Sequence, residues 1–400
     1  MRVVLVRAGP MRILCVFGAH QYGDAARGES TESFSFVPAL RALGHDVQLF
    51  DSWDKSAHRD YAELNVALVD RCKRAAPDVV LWVALTVEVW LETLDYLRGV
   101  LRVRVIHWAP DDSWKFRQHS RFVARHVDLC VTTYPEFLGQ YHCLGVTAVA
   151  SGWGVPESWR GEVVPAANCA YDVTFVGTAQ PARVAMVEAL ERKGIRVQCF
   201  GFGWPAGPIS PERIPDIFRL SRISLNFANS SGANQVKARV FEVTGAGGFL
   251  LSQTAPGIDR TFDCDREIAV FASIDECEQQ VRRYLGAPAL RDAVARAAMP
   301  GPKGNILMSR VCAGCWKAMP PAAEIQPESR SIFRASLPGH THPKVLRWIA
   351  GVLTALGCGL FGREGDRASP KSVFRTELAH RGKTTFRAAR LRLGRMFYAQ

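Results

Sequence analysis

Over the first 150 residues, short β-branched apolar runs alternate with stretches whose apolar positions recur with helical period. Residues 12–17, 46–51, 78–83, 103–108, 128–133 and 147–150 read as strands, and 33–43 reads as a helix stopped by Gly44, where a left-handed C′ residue belongs. Loop composition follows from Gly152 through Ala167, and the pattern then restarts. Strands are expected at 172–176, 196–200, 223–227, 248–252 and 267–271, with helices at 181–193, 211–220 and 235–245. A last helix starts at Ser273, where Ser273-Ile274-Asp275-Glu276 forms a capping box. Alternation of this kind implies right-handed βαβ crossovers and mostly parallel sheets.

The pattern predicts an α/β protein with two Rossmann-like domains facing across a cleft. Residues 11–155 form the first domain, 156–170 the linker and 171–298 the second domain. Residues 1–10 read as an upstream-start extension, since Met11 opens the better strand. Residues 299–329 lose periodicity and are expected to be irregular, with Cys312 and Cys315 as ordinary thiols in a loop. A basic helical appendix, 330–400, completes the chain.

Composition narrows the class. The 400 residues are 48% hydrophobic and 22% charged, which fits two globular cores rather than disorder. Eleven scattered Cys read as reduced thiols, and no signal peptide opens the chain, so a cytoplasmic location is expected. Of the net charge of +12, +11 lies in 330–400. An apolar stretch there, 345–361, is short for a membrane span, so peripheral contact with the inner face of an anionic membrane is expected, and nucleic acid is not.

Ligands of parallel sheets bind beyond the carboxyl ends of the strands. Gly177 and Thr178 sit there, after the second domain's first strand, where backbone amides can approach a phosphate or simply turn the chain. Further on, Lys237 and Arg239 can offer positive charge to a diphosphate, Glu242 can accept ribose hydroxyls, and Gly245 and Gly247 allow a tight turn. In the first domain, His20, Asp24, His107, Asp111 and Asp112 lie beyond strand ends, as a general base would, although Asp111-Asp112 also fits a helix N-cap.

These motifs carry a resemblance. Phe200-Gly201-Phe202-Gly203-Trp204, Ile214-Pro215-Asp216-Ile217-Phe218, Leu225-Asn226-Phe227 and the run from Arg239 to Leu251 resemble the donor half of the spore-maturation CgeB-like glycosyltransferases, within the GT-B group. Residues 22–28 and 108–114 are similar to its acceptor half. The resemblance implies transfer of a sugar from a nucleoside-diphosphate-sugar to a polysaccharide, lipid-linked or protein-surface acceptor. Glu242 then matches the ribose-binding glutamate, and Lys237 or Arg239 the cation that stabilises the leaving diphosphate. The family's second acid is replaced by Asn234, whose amide can still contact the sugar. No cofactor is implied beyond the nucleotide-sugar co-substrate, and no metal, since no Asp-x-Asp motif sits at a strand end. The other readings are a sugar-nucleotide epimerase or hydrolase on the same scaffold, and a non-catalytic binding protein with a basic tail.

Overall fold

The structure, a computed structural model, describes residues 9–58, 61–86, 88–227, 236–299 and 307–320. Asn234, the basic tail 330–400 and most of the 1–10 extension lie outside the described residues.

Six strands form the first sheet: β1 (Arg12–Phe17), β2 (Asp46–Asp51), β3 (Val79–Val83), β4 (Arg104–Ala109), β5 (Leu129–Thr132) and β6 (Ala148–Ala150). All its pairings are parallel, in the order β2-β1-β3-β4-β5-β6. Along this part of the chain the helices are α1 (Thr31–Ala42), α2 (Tyr61–Ala75), α3 (Leu91–Gly99), α4 (Asp112–Lys115), α5 (Arg121–Val123) and α6 (Leu138–Cys143). Helices covering both faces of a parallel sheet bury its strands as continuous apolar runs, and all five residues of β3 are buried. Trp82 on β3 packs with Leu14, Val16, Val105 and Tyr141 in this core.

The second sheet contains β7 (Tyr171–Val176), β8 (Gln198–Phe200), β9 (Ser221–Asn226), β10 (Leu250–Gln253) and β11 (Ala269–Phe271), in the parallel order β11-β10-β9-β7-β8. Helices α7 (Pro181–Arg192), α8 (Ile214–Arg219), α9 (Ala238–Gly245), α10 (Ile258–Thr261), α11 (Ile274–Gly286), α12 (Pro288–Ala298) and α13 (Met308–Ala318) accompany it. Phe175, Ile223, Leu225, Phe249 and Val281 share its core. At the start of α11 the Ser273 hydroxyl accepts the Glu276 amide at 3.2 Å, and the Glu276 carboxylate accepts the Ala272 amide at 2.7 Å.

The chain divides differently from the sequence reading. Contacts group β1 and His45–Ala150 in one unit, and Ala19–Gly44 with Ser151–Lys317 in the other. Helix α1 therefore packs with the second unit, where Phe34 stacks on Trp159 at 4.9 Å. Residues 156–170 are no free linker. The fully buried Arg291 of α12 donates to the carbonyls of Val164, Ser221 and Arg222, and Asp292 accepts the Ala166 amide. A second correction concerns 299–329, where α13 buries Met308, Val311, Cys312 and Cys315 on one face. That i, i+3, i+4, i+7 spacing is a helical period in which two of the apolar positions are Cys. The two thiols are thus core residues of a helix rather than loop residues. Among the described residues no helix is long and apolar enough to cross a membrane.

Candidate functional site

The strand order of the second sheet reverses between β7 and β9, and a crevice beyond the carboxyl ends of the strands at such a switch point is the expected ligand position. Gly177 and Thr178 follow β7 there. The loop after β8 ties this turn down. Phe200 and Phe202 carbonyls accept the amides of Gly177 and Ala179, each at 2.8 Å, and the Trp204 indole donates to the Gly177 carbonyl at 2.8 Å. Gly201 has φ +128°, and a Cβ there would overlap the Gly177 carbonyl. The Gly177 amide is thus already used within the protein, leaving the side chains around the turn as the groups for a ligand.

Those side chains are cationic. Arg183, in the first turn of α7, donates to the Thr178 carbonyl at 3.2 Å and covers the Phe175 ring at 5.4 Å. Its Nε is buried with no hydrogen-bond partner among the described residues. Arg239, in the first turn of α9, sits 5.0 Å from the Phe218 ring centre. Burial, and then the positive charge of Arg239, lower the Arg183 pKa to about 10. Lys237, two positions before Arg239, is the N-cap residue of α9. Helix N-termini carry partial positive charge, so cations in the first turns of α7 and α9 are misplaced unless a negative group joins them. Glu242 offsets part of this. Its carboxylate is nearly fully buried with Oε2 2.6 Å from Arg239 Nη1, and burial raises its pKa while Arg239 pulls it back.

Gly245 and Gly247 have another job. A Cβ on Gly245 would strike Val155, and Gly247, at φ +84°, packs its backbone on the carbonyls of Gly161 and Glu162. These two glycines let the end of α9 meet the 155–162 segment. Asn234 lies outside the described residues.

His20 opens the loop before α1, within the second unit. Its backbone bridges Glu29, and among the described residues its ring has no hydrogen-bond or ion-pair partner. Arg27 from the same loop lies 4.5 Å from the Phe202 ring centre and 5.4 Å from that of Tyr22, while Asp24 accepts the Ala26 amide. Between this loop and residues 208–211 lies a cavity of about 400 Å³.

In the first unit, Asp111 is the N-cap residue of α4, caps nothing with its side chain, and lies 3.7 Å from Lys115 Nζ. Asp112 is buried and accepts the Tyr141 hydroxyl at 2.8 Å; burial raises its pKa. That carboxylate is enclosed by protein, which corrects its reading as a base open to an acceptor. His107 is buried too, 4.7 Å from the Trp82 ring and 5.7 Å from His119, and burial lowers its pKa to about 3. Among the described residues no cluster of His, Cys, Asp and Glu has the makings of a metal site.

Arg183, Trp204 and Tyr22 are absent from the sequence-based site. The available signal was an arginine in the first turn of a helix that follows a Gly-Thr turn, where the dipole disfavours it.

Residues 183–301 match a family model described as glycosyl transferase-like. No curated protein matches the chain by sequence. Among solved structures, Anabaena HepE in complex with UDP-glucose aligns over 77% of this chain and 98% of its own, with TM-score 0.53 and 12% identity. A glycosyltransferase from Rickettsia africae aligns over 78% of this chain and 98% of its own, with TM-score 0.51 and 12% identity. Sucrose-phosphate synthase from Thermosynechococcus elongatus aligns over 81% and 100%, with TM-score 0.50 and 12% identity. At such identities the likeness is one of fold, the α/β GT-B fold with two Rossmann-like sheets. Fold and family match together define the class, a glycosyltransferase.

Proposed function

We propose that the protein transfers a sugar from a nucleoside-diphosphate-sugar to a hydroxyl of a polysaccharide, lipid-linked or protein-surface acceptor. The observation that carries this reading is that Arg183 and Arg239, in the first turns of the helices that follow β7 and β9 at the switch point, lie close enough for the charge of one to lower the pKa of the other. Like charges held together in a partly buried site are stabilised by an anion between them, and a diphosphate carries the needed charge. The complex of HepE with UDP-glucose supports the choice of donor class.

In the transfer, the bond between the anomeric carbon and the diphosphate oxygen breaks, and the electron pair leaves with the diphosphate. The acceptor oxygen bonds to that carbon and gives up its proton, which passes finally to solvent water. Arg183, Arg239 and Lys237 stabilise the departing charge, so the proposed reaction has no obligatory metal. Glu242, buried behind Arg239, holds that guanidinium in place with its carboxylate. Asn234 is assigned to the sugar. The basic tail is proposed to bring the enzyme to an anionic membrane surface on the cytoplasmic side.

The test is sugar transfer from a panel of nucleoside-diphosphate-sugars by Arg239→Ala and Glu242→Ala, with folding checked by circular dichroism. Transfer is expected to be lost in both folded variants. Unchanged turnover in both would overturn the assignment.

A further inference from the structure

The cavity between the loop before α1 and the loop before α8 has a lining unlike the cationic turn beside it. It measures about 400 Å³, within the roughly 300–1,000 Å³ of small-molecule sites. Polar residues line one part: His20, Glu29, Ser33 and Ser210. The Ser33 hydroxyl donates to Glu29 Oε1 at 2.7 Å, which fixes the carboxylate's direction. Pro208 and Pro211 line another part with rigid apolar surface. Among the described residues neither Lys nor Arg lines the cavity, and Glu29 gives it an acidic group, so it disfavours a phosphate. Its carboxylate and hydroxyls are equally unsuited to an acyl chain.

We propose that this cavity binds an uncharged pyranose of the acceptor. A pyranose presents an edge of hydroxyls, which donate to a carboxylate and an imidazole nitrogen, and a face of C–H groups, which packs on proline rings. The loop that carries His20 and Glu29 also carries Arg27, whose guanidinium lies 4.5 Å from the ring centre of Phe202, and the Phe202 carbonyl holds the Ala179 amide beside the Gly177-Thr178 turn. A saccharide in the cavity therefore lies on a loop that touches the support of the proposed diphosphate site. The inference rests on the glycosyltransferase reading for its word "acceptor", and on the cavity's lining for its chemistry.

The test uses the full chain and isothermal titration. The probes are methyl glycosides and short oligosaccharides of glucose, galactose and N-acetylglucosamine, titrated separately from UDP and from UDP-sugars. The variants are Ser210→Trp, which fills the cavity from an exposed position, and Glu29→Gln. A saccharide is expected to bind wild-type protein. Ser210→Trp is expected to abolish that binding and Glu29→Gln to weaken it about tenfold, with UDP affinity unchanged in both. Saccharide binding indifferent to both substitutions would overturn the proposal, as would absence of binding by every free saccharide. If Ser210→Trp instead weakens only UDP-sugars relative to UDP, the cavity holds the donor's sugar and the acceptor assignment falls. Failure of UDP to bind wild-type protein would count against the donor reading alone, because the free-saccharide arm is read without it.

Discussion

Arg239 and Glu242 stand three residues apart on α9, their Nη1 and Oε2 atoms 2.6 Å apart, yet neither atom has a well-aligned hydrogen-bond partner among the described residues. The pair is held by charge more than by directed bonding. Glu242→Gln removes the counter-charge and leaves a partly buried guanidinium beside Arg183. Breaking such a pair is expected to destabilise the protein by about 3 kcal/mol at neutral pH, measured by urea denaturation. A saturating nucleoside diphosphate restores part of that loss, because it binds only the native state. A variant as stable as wild type would show that the ion pair contributes nothing.

Arg183 is held against its own electrostatic preference, with a pKa lowered to about 10 by burial and by Arg239. Such a group serves a ligand rather than the empty fold. Arg183→Ala is expected to lower kcat/KM by about 100- to 1,000-fold while leaving the melting temperature equal or higher. A large fall in melting temperature with little change in kcat/KM would make Arg183 structural.

The Gly177 turn depends on the absence of a side chain at Gly201, where φ is +128° and the Gly177 carbonyl occupies the place of a Cβ. Gly201→Ala is expected to cost about 2 kcal/mol or more in chemical denaturation and to weaken nucleotide binding in parallel. Stability within experimental error of wild type would mean that the turn relaxes freely.

Much of this architecture was legible because buried parallel strands leave an unambiguous mark. All eleven expected strands are present, nine of them with a bound displaced by one or two residues. Contacts that join distant segments were not legible. Nothing local to Phe34 or Trp159 announces that they stack, so α1 was assigned with its sequence neighbours instead of with the second unit. Helix α13 is hidden in the sequence because two of its four buried positions are Cys312 and Cys315, whose spacing from Met308 and Val311 is that of an apolar helix face. In the site, Lys237, Arg239 and Glu242 stood out as charges in one short motif. Arg183 lies more than 50 positions away, and only the sheet order brings it near Arg239.

Two buried imidazoles make the first unit sensitive to acid. Burial lowers the pKa of His107 to about 3, and burial followed by the charge of His107 lowers that of His119 well below its ordinary 6.5. Lys115 acts on both in the same direction. Below pH 6.5 the unfolded chain takes up protons that the folded rings refuse. Their contribution to stability is therefore intact above pH 6.5 and is lost as pH falls from there towards 3, by up to about 1.4 kcal/mol per pH unit for each ring. His107→Gln is expected to flatten the dependence of unfolding free energy on pH between 4 and 6 by close to one proton. An unaltered slope would mean that His107 titrates normally in the fold.

The central claim is that Arg183 and Arg239 together hold a diphosphate, and calorimetric titration with UDP and UMP of wild type, Arg183→Ala, Arg239→Ala and the double variant tests it most directly. The account predicts that UDP binds wild type at least about tenfold more tightly than UMP, and that each substitution removes most of that preference, with losses that are not additive. Equal affinity for UDP and UMP in wild type, or a preference that survives in the double variant, would contradict it.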